Sequence, residues 1–477
     1  MVTATLYHGR DGIRARGPLA PGLSRANGNR RPSGEREKLQ DEMSVRGAAF
    51  IGIGSMVGAG IFALLGQAAV IAGAGVWLSF LLAGLVTMLL AYNVVKLGIR
   101  YPSEGGLIEY LRQGFGNGRV LGIAAWLGYA AAFVVVAAML AVSFGSYAVS
   151  LFVGDHGWGG WDNVFASLLI VAMTAINMTG ATIVARVASV MVVVLLCVFA
   201  VFIVVTISNI NLHLLAFSGY PPFSKIIASI ALTFFAFLGF GVMTFTVASL
   251  RDPKRELPRA VALALGLTTA TYVLISIGVF GTLTVDQAIG YGETAIAEAA
   301  RPTLGEAGFV LMAVAALIAT AGATNGTLFG AGNLAASLAE IGQFPPLLGP
   351  RSRLGKHGGL LVTGGLALLL ANLVDLSAIA SVGSACSLVV FLLVGLAGYR
   401  RRSETGASAA LILAGMVATI VVLGFFAVDT LRNAPETFAA IVAMTLLAVV
   451  LDAVWKRLRD RTSGPSGEGA ATTATSP

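Results

Sequence analysis

Apolar residues in this chain of 477 residues come in unbroken runs, each about the length needed to cross a bilayer, with short polar segments between them. Twelve runs stand out, at 47–72, 76–99, 120–153, 164–184, 187–207, 226–250, 260–283, 307–338, 358–374, 376–398, 408–428 and 438–454. The ninth is marginal in length, and several others are long enough to cross tilted. Within hydrocarbon such a run satisfies its own backbone only as a helix. The pattern therefore predicts an all-α integral membrane protein with 12 transmembrane helices.

The information lies where a run breaks its own pattern. The first run contains "GIGSMVGAGIF", with Gly52, Gly54, Gly58 and Gly60, and the sixth carries Gly239 and Gly241 near its middle. The fourth and ninth are the short, weak pair. Both irregular pairs are separated by five helices, so residues 44–210 and 220–402 read as two copies of one five-helix unit. Helices 11 and 12 follow at 405–458. An odd number of helices per copy inverts the second copy in the membrane. Inverted repeats with interrupted helices at matching positions point to a secondary transporter whose site lies between the interruptions.

Composition agrees with the membrane class, since 57% of residues are hydrophobic and 11% are charged. The net charge of +8 first suggests nucleic acid, but the placement of the charges argues otherwise. With the N-terminus inside, every Lys and Arg falls on the inner side except Lys225, Arg301 and Arg432. This positive-inside pattern predicts a multi-pass plasma-membrane protein with both termini cytoplasmic. Residues 1–43 and 459–477 have no apolar core and read as disordered cytoplasmic tails, the first unlike a cleaved signal. A lipid-touching role for the basic N-terminal tail is the weaker alternative. Cys197 and Cys386 predict no disulfide framework, and His8, His156, His213 and His357 are too scattered for a metal site. No cofactor is expected.

Glycine in a helix interior costs about 1 kcal/mol relative to alanine, so the first run is poorer by roughly 3–4 kcal/mol. Close packing through the Gly54/Gly58 G-x-x-x-G pair is one explanation. The other is a local unwinding of Ser55–Gly60, with Gly54, Gly58 and, in the sixth run, Gly241 as helix-break glycines. A second half-helix starting near Gly60 and Ile61 has free N–H groups for an anion such as a carboxylate. Carbonyls near Met56, and near Phe235 to Leu238 and Gly239 in the sixth run, suit an ammonium group. Such a site fits a zwitterion. Phe234, Phe235, Phe237 and Phe240 offer apolar walls, of which one or two can face a single cavity.

Taken together, "GSMVGAGIF", "FFAFLGFG" followed by "RDPKRELPRA", "YPSEGGLIEYLRQGFGN" and "NGTLFGAGNLAASLAEIGQFPPLL" resemble the amino acid–polyamine–organocation transporters. The similarity runs from about Val45 to Arg402 and is nearest the broad-specificity amino-acid permease branch. It implies the leucine-transporter fold, with a 5+5 inverted repeat, discontinuous helices 1 and 6, and alternating access around a midplane site. Carried over by position, carboxylate contacts fall on the N–H groups of Ala59 and Gly60, with Ile61 adjacent. Amine contacts fall on the carbonyls of Met56, Phe235 and Leu238. Phe235 matches an aromatic that closes over substrate in related antiporters, and Asn325 matches an Asn in helix 8.

Two departures bear on substrate and energy source. Gly241 stands where many relatives have an acidic residue, which leaves a cationic side chain without a counter-ion and favours neutral amino acids. Leu195 stands where proton-coupled members have a lysine in helix 5. The coupling ion expected from the branch is H+, but no carrier residue is evident, and Thr320 and Thr324 make no convincing sodium pair. Glu104 and Glu109, among Arg100, Arg112 and Arg119, read as an interfacial salt-bridge cluster rather than a proton relay. Pro253 and Pro258 read as a break between one helix and the next.

The expectation is a transporter rather than an enzyme: proton-coupled uptake of neutral amino acids by alternating access. An exchanger or uncoupled facilitator is the nearest alternative, and an amino-acid-binding membrane receptor is the alternative from another class.

Overall fold

The computed structural model describes residues 43–103, 106–154, 159–179, 184–349, 355 and 357–462. Residues 1–42 and 463–477 of the two expected tails, together with Glu104 and His156, lie outside the described residues.

Helices dominate, and Met43 and Leu250 form an isolated β-bridge. Ser44 caps the first helix by accepting a hydrogen bond from Gly47 N–H at 3.1 Å, so the helix starts two residues before the apolar run. In chain order the elements are α1 (Val45–Ala59), α2 (Ile61–Ala72), α3 (Val76–Arg100), α4 (Gly106–Phe115) and α5 (Arg119–Tyr129). A π-helical turn, Ala130–Val135, joins α5 to α6 (Val136–Phe152). Then come α7 (Trp161–Thr179), α8 (Val184–Ser208), α9 (Phe223–Phe235), a 3-10 segment (Leu238–Ser249), α10 (Pro253–Phe280), α11 (Val285–Tyr291) and α12 (Ala295–Glu340). The chain closes with α13 (Gly358–Leu373), α14 (Leu376–Arg400), α15 (Ala409–Asn433) and α16 (Pro435–Thr462).

Among the described residues, ten stretches are long and apolar enough to cross a membrane, and Val45–Gly58 and Gly358–Leu373 are shorter apolar helices. These two shorter helices fall on the first and ninth runs of the sequence. The first is short because it divides at Gly60, beyond which Ile61–Arg100 continues as one stretch.

Burial separates an inner bundle from a periphery. In Phe223–Val247 and Leu376–Arg400, 78% of the most apolar window is buried, against 11% in Pro435–Arg459. Val190, Val193, Val194, Val201 and Val204 on α8, and Leu446, Leu447, Val450 and Val454 on α16, point outward. An apolar belt of this kind suits lipid.

Some edges differ from expectation. Met43 is tied down, its N–H donating to the Ser249 carbonyl at 2.8 Å. At the other end α16 runs on to Thr462, because Trp455 and Arg459 both donate to the Gly342 carbonyl at 3.0 Å. Pro253 opens α10 as expected, whereas Pro258 stays inside it. So close to the start, a proline forfeits only one early helical bond.

Candidate functional site

The first interruption is a single residue. α1 remains helical through Ala59, Gly60 departs with φ −100° and ψ −78°, and the ladder resumes where Leu64 N–H donates to the Gly60 carbonyl at 3.1 Å. The expected unwinding of Ser55–Gly60 is thereby narrowed to Gly60. Each further residue released from the helix would leave backbone groups unpaired in an apolar interior. The N–H groups of Ile61, Phe62 and Ala63 open α2 without a partner in that helix. Ile61 and Phe62 are fully buried.

The second interruption is longer and of a different kind. α9 ends at Phe235, and the bonds tighten to three-residue steps: Ala236 N–H to Thr233, Phe237 N–H to Phe234 and Phe240 N–H to Phe237, at 3.1, 2.9 and 3.0 Å. The chain then runs as a 3-10 helix for 12 residues, Leu238–Ser249. Runs this long are uncommon and mark strain or a hinge. Thr244 and Thr246 support it by donating three residues back, to Gly241 and Met243 carbonyls at 2.6 and 2.8 Å.

The two interruptions cross in contact. A Cβ placed on Gly239 would lie 2.4 Å from the Ser55 carbonyl carbon and 2.5 Å from Met56 N. One on Gly60 would lie 2.5 Å from the Tyr272 hydroxyl and 2.8 Å from the Ala236 carbonyl oxygen. Met56, Gly60, Ile61, Phe235, Leu238 and Gly239 are thus brought to one place, and Ala59 precedes the break directly.

The expected helix-break glycines have other duties. Gly54 seats Val192 of α8, and Gly58 seats Ala319 and Ala323 of α12. Both lie within α1, where they let neighbours approach closely. Gly241 lies inside the 3-10 run, with only the Leu107 side chain near its Cβ direction, at 3.6 Å.

Of the four phenylalanines, Phe234 and Phe240 pack on Phe391 of α14, and Phe237 packs on Tyr272 of α10. Phe235 alone reaches α14 at Gly383, where a Cβ would lie 2.7 Å from its ring and 2.5 Å from Val135 of the π-helical turn. Asn325 stands apart from the interruptions. Its Oδ1 accepts from Asn177 of α7 at 2.7 Å, on a face of α12 turned about 200° from Ala323. Thr320 and Thr324 donate to their own helix, to Ala316 and Thr320 carbonyls at 2.7 and 2.8 Å. Leu195 is buried on the same face of α8 as Val192 and Phe199, the latter packed on Phe62. The lysine position of the resemblance is therefore an apolar surface beside the first interruption.

Three features were missed in the sequence. Tyr272 donates to the Ala236 carbonyl at 3.4 Å and stands over Gly60. Its only sequence mark is a lone Tyr in an apolar run. The π-helical turn has no sequence mark, since Ala130–Val135 reads as ordinary helix. Ser381, Ser384 and Ser387, spaced at one helical turn along α14, were visible and unread.

Away from the crossing, Glu109 accepts from Arg112 at 2.7 Å and Gln113 at 2.6 Å. Partial burial pushes its carboxyl up, but those hydrogen bonds and the Arg112 charge outweigh it and hold the group below its ordinary range. It is a salt bridge with a part-exposed Arg112. Among the described residues, no three His, Cys, Asp or Glu gather in a way that could hold a metal ion.

The profile of the family described as amino acid permease matches residues 43–451. The chain is 31% identical over 407 residues to the inner membrane transport protein YbaT of Escherichia coli, covering 85% of this chain and 94% of that one. It is 26% identical over 324 residues to the serine/threonine exchanger SteT of Bacillus subtilis, covering 64% and 70%. To the branched-chain amino acid permease BcaP of the same organism it is 25% identical over 289 residues, covering 54% and 58%.

Proposed function

The chain belongs to the amino acid permease family, a family of transporters and not of enzymes, and from that premise we propose that it carries neutral amino acids across the plasma membrane by alternating access. The observation that carries this reading is the crossing of the two interruptions. There the buried amides of Ile61 and Phe62, at the positive end of α2, lie beside the tightened backbone of Phe235–Leu238. Amides hold the substrate carboxylate, and carbonyls of Met56, Phe235 and Leu238 hold its ammonium. Gly241 leaves no counter-ion for a charged side chain, which favours neutral substrates.

In this reading twelve helices cross the membrane as two inverted five-helix repeats plus α15 and α16, with both termini inside. The 3-10 segment is the element that moves. At about 2.0 Å rise per residue against 1.5 Å for α-helix, rewinding its 12 residues shortens it by about 6 Å. Uptake driven by a proton gradient is the primary mode. Exchange is the second reading, favoured by the apolar surface at Leu195 where proton-coupled relatives place a lysine.

The test is flux in sealed vesicles of purified protein. Accumulation of a labelled neutral amino acid, faster with acid outside, supports proton-coupled uptake. Flux only into preloaded vesicles supports exchange, and binding without flux overturns transport in favour of a receptor.

A further inference from the structure

Most of α16 faces outward, yet its last turns carry a stripe of a different kind. Asp452, Trp455, Lys456 and Arg459 stand three and four residues apart and so share one face. Asp452 is 2% exposed, a carboxylate sunk into the bundle from a helix that otherwise offers Leu446, Val450 and Val454 to its surroundings. An ionisable side chain so placed is expensive, and such residues are usually functional.

The stripe meets two other helices. Toward α5, Lys456 pairs with Asp452 at 2.9 Å and donates to the Gly118 carbonyl at 3.2 Å, just before α5 begins. The Asp452 carboxylate lies over Gly122, where any Cβ would overlap its Oδ1. Toward α12, Trp455 and Arg459 both donate to the Gly342 carbonyl at 3.0 Å, in the turn that follows α12. The third side is closed directly, since Phe344 beyond that turn stacks on Trp126 of α5 with ring centroids 4.1 Å apart. Three segments of the chain are thus tied pairwise at one end of the bundle.

The helices so tied flank the first interruption. Gly58 of α1 seats Ala319 and Ala323 of α12, and Phe62 of α2 meets Tyr147 of α6, which continues α5 through the π-helical turn. In the 3-10 segment, by contrast, Thr244 and Thr246 donate within the segment itself.

We propose that the last three turns of α16 are a clamp that fixes the inner ends of α5 and α12 to each other, so that these helices keep one spacing while the 3-10 segment moves. Asp452, Trp455 and Lys456 are positioning residues, acting through α5 and α12. The inference rests on the transport reading above for what moves, and on the three-way joint for what stays. Hydrogen bonds and an ion pair suit the task because they are directional, and sliding one helix past another breaks them.

The experiment uses the full chain in a Cys197→Ser background, with spin labels at Arg119→Cys and Glu340→Cys, exposed positions at the tied ends of α5 and α12. This parent protein should show one narrow distance, the same with and without a saturating mixture of alanine, threonine and leucine. Asp452→Asn with Lys456→Met removes both charges together, because losing one strands the other. Trp455→Phe with Arg459→Gln removes the donors to Gly342 and creates no buried charge. Both pairs should broaden the distance and lower the maximal rate of uptake of the three amino acids by about tenfold, the kinetic worth of roughly one hydrogen bond, with KM unchanged. Lys456→Arg keeps the charge and the donor and should behave as the parent. A parent distance that changes with amino acid overturns the clamp, as do variants that lose transport at an unchanged distance or keep both. If the parent carries none of the three amino acids, the transport reading falls, whereas a distance that still broadens in both pairs upholds the joint.

Discussion

The two interruptions in the bundle are built oppositely. In the first, two α-helices meet at one residue, Gly60, and nearly all the backbone keeps its helical partners. In the second, an α-helix passes into a 3-10 helix of 12 residues. A one-residue break is rigid and presents a helix N-terminus, which suits it to hold an anion. A long 3-10 run is a weaker, stretched form of helix that can rewind, which suits it to move. Near-identical sequence signals, glycines in the middle of an apolar run, therefore produce two different structures, which the proposed function uses as a holding part and a moving part.

The sharpest way to break this comparison is at the crossing itself. Gly239→Val should abolish transport and reduce folded protein, since the new side chain meets Ser55 and Met56 backbone that cannot give way. Overpacking of this kind costs about 1–3 kcal/mol or more, whereas Gly54→Ala, which meets only the tip of Val192, should cost less. Thermal unfolding of the purified variants orders the two.

Gly60→Ala comes next, and it has a diagnostic partner. Part of its strain is against the Tyr272 hydroxyl, so Tyr272→Phe should recover some of the lost binding in the double variant. Additive losses in that cycle would place the Gly60 defect elsewhere.

Smaller effects are expected at Asn325, whose side chain pairs with Asn177. Asn325→Ala should lower stability by about 1 kcal/mol, the worth of its bond with Asn177, and leave substrate affinity alone. Asn177→Ala should match it, and the double variant should be no worse than either. A changed affinity in Asn325→Ala alone would put Asn325 back in the site.

The smallest effect concerns pH at the interface. Because the folded-state value of Glu109 lies below its unfolded value of about 4.3, its contribution is present above that pH and is lost as pH falls through the folded value. Glu109→Gln should therefore lower stability at neutral pH by less than about 1 kcal/mol, given the exposed arginine, and the difference should vanish in acid.

Helix positions were legible because a membrane-spanning run must satisfy its own backbone, so apolar length alone marks it. The two interruptions were legible through Gly60 and Gly239, which no packing at ordinary distance could replace. What the runs could not show was rotation about each helix axis. Asn325 and Ala323 are two residues apart and face different neighbours, and Gly54 and Gly58 serve close packing rather than the break. The π-helical turn and the 3-10 run were illegible for another reason: both differ from α-helix by a single step in bonding, which Ala, Phe and Val do not signal.

In the proposed function the crossing holds the two charged ends of an amino acid. Competition binding to the purified protein by a neutral amino acid, its methyl ester and its N-acetyl derivative tests it most directly. The free amino acid should compete, and both blocked forms should fail by a hundredfold or more, on the order of 3 kcal/mol for a lost charged hydrogen-bonding partner. If either blocked form competes as well as the free amino acid, the interruptions do not hold that end of the substrate.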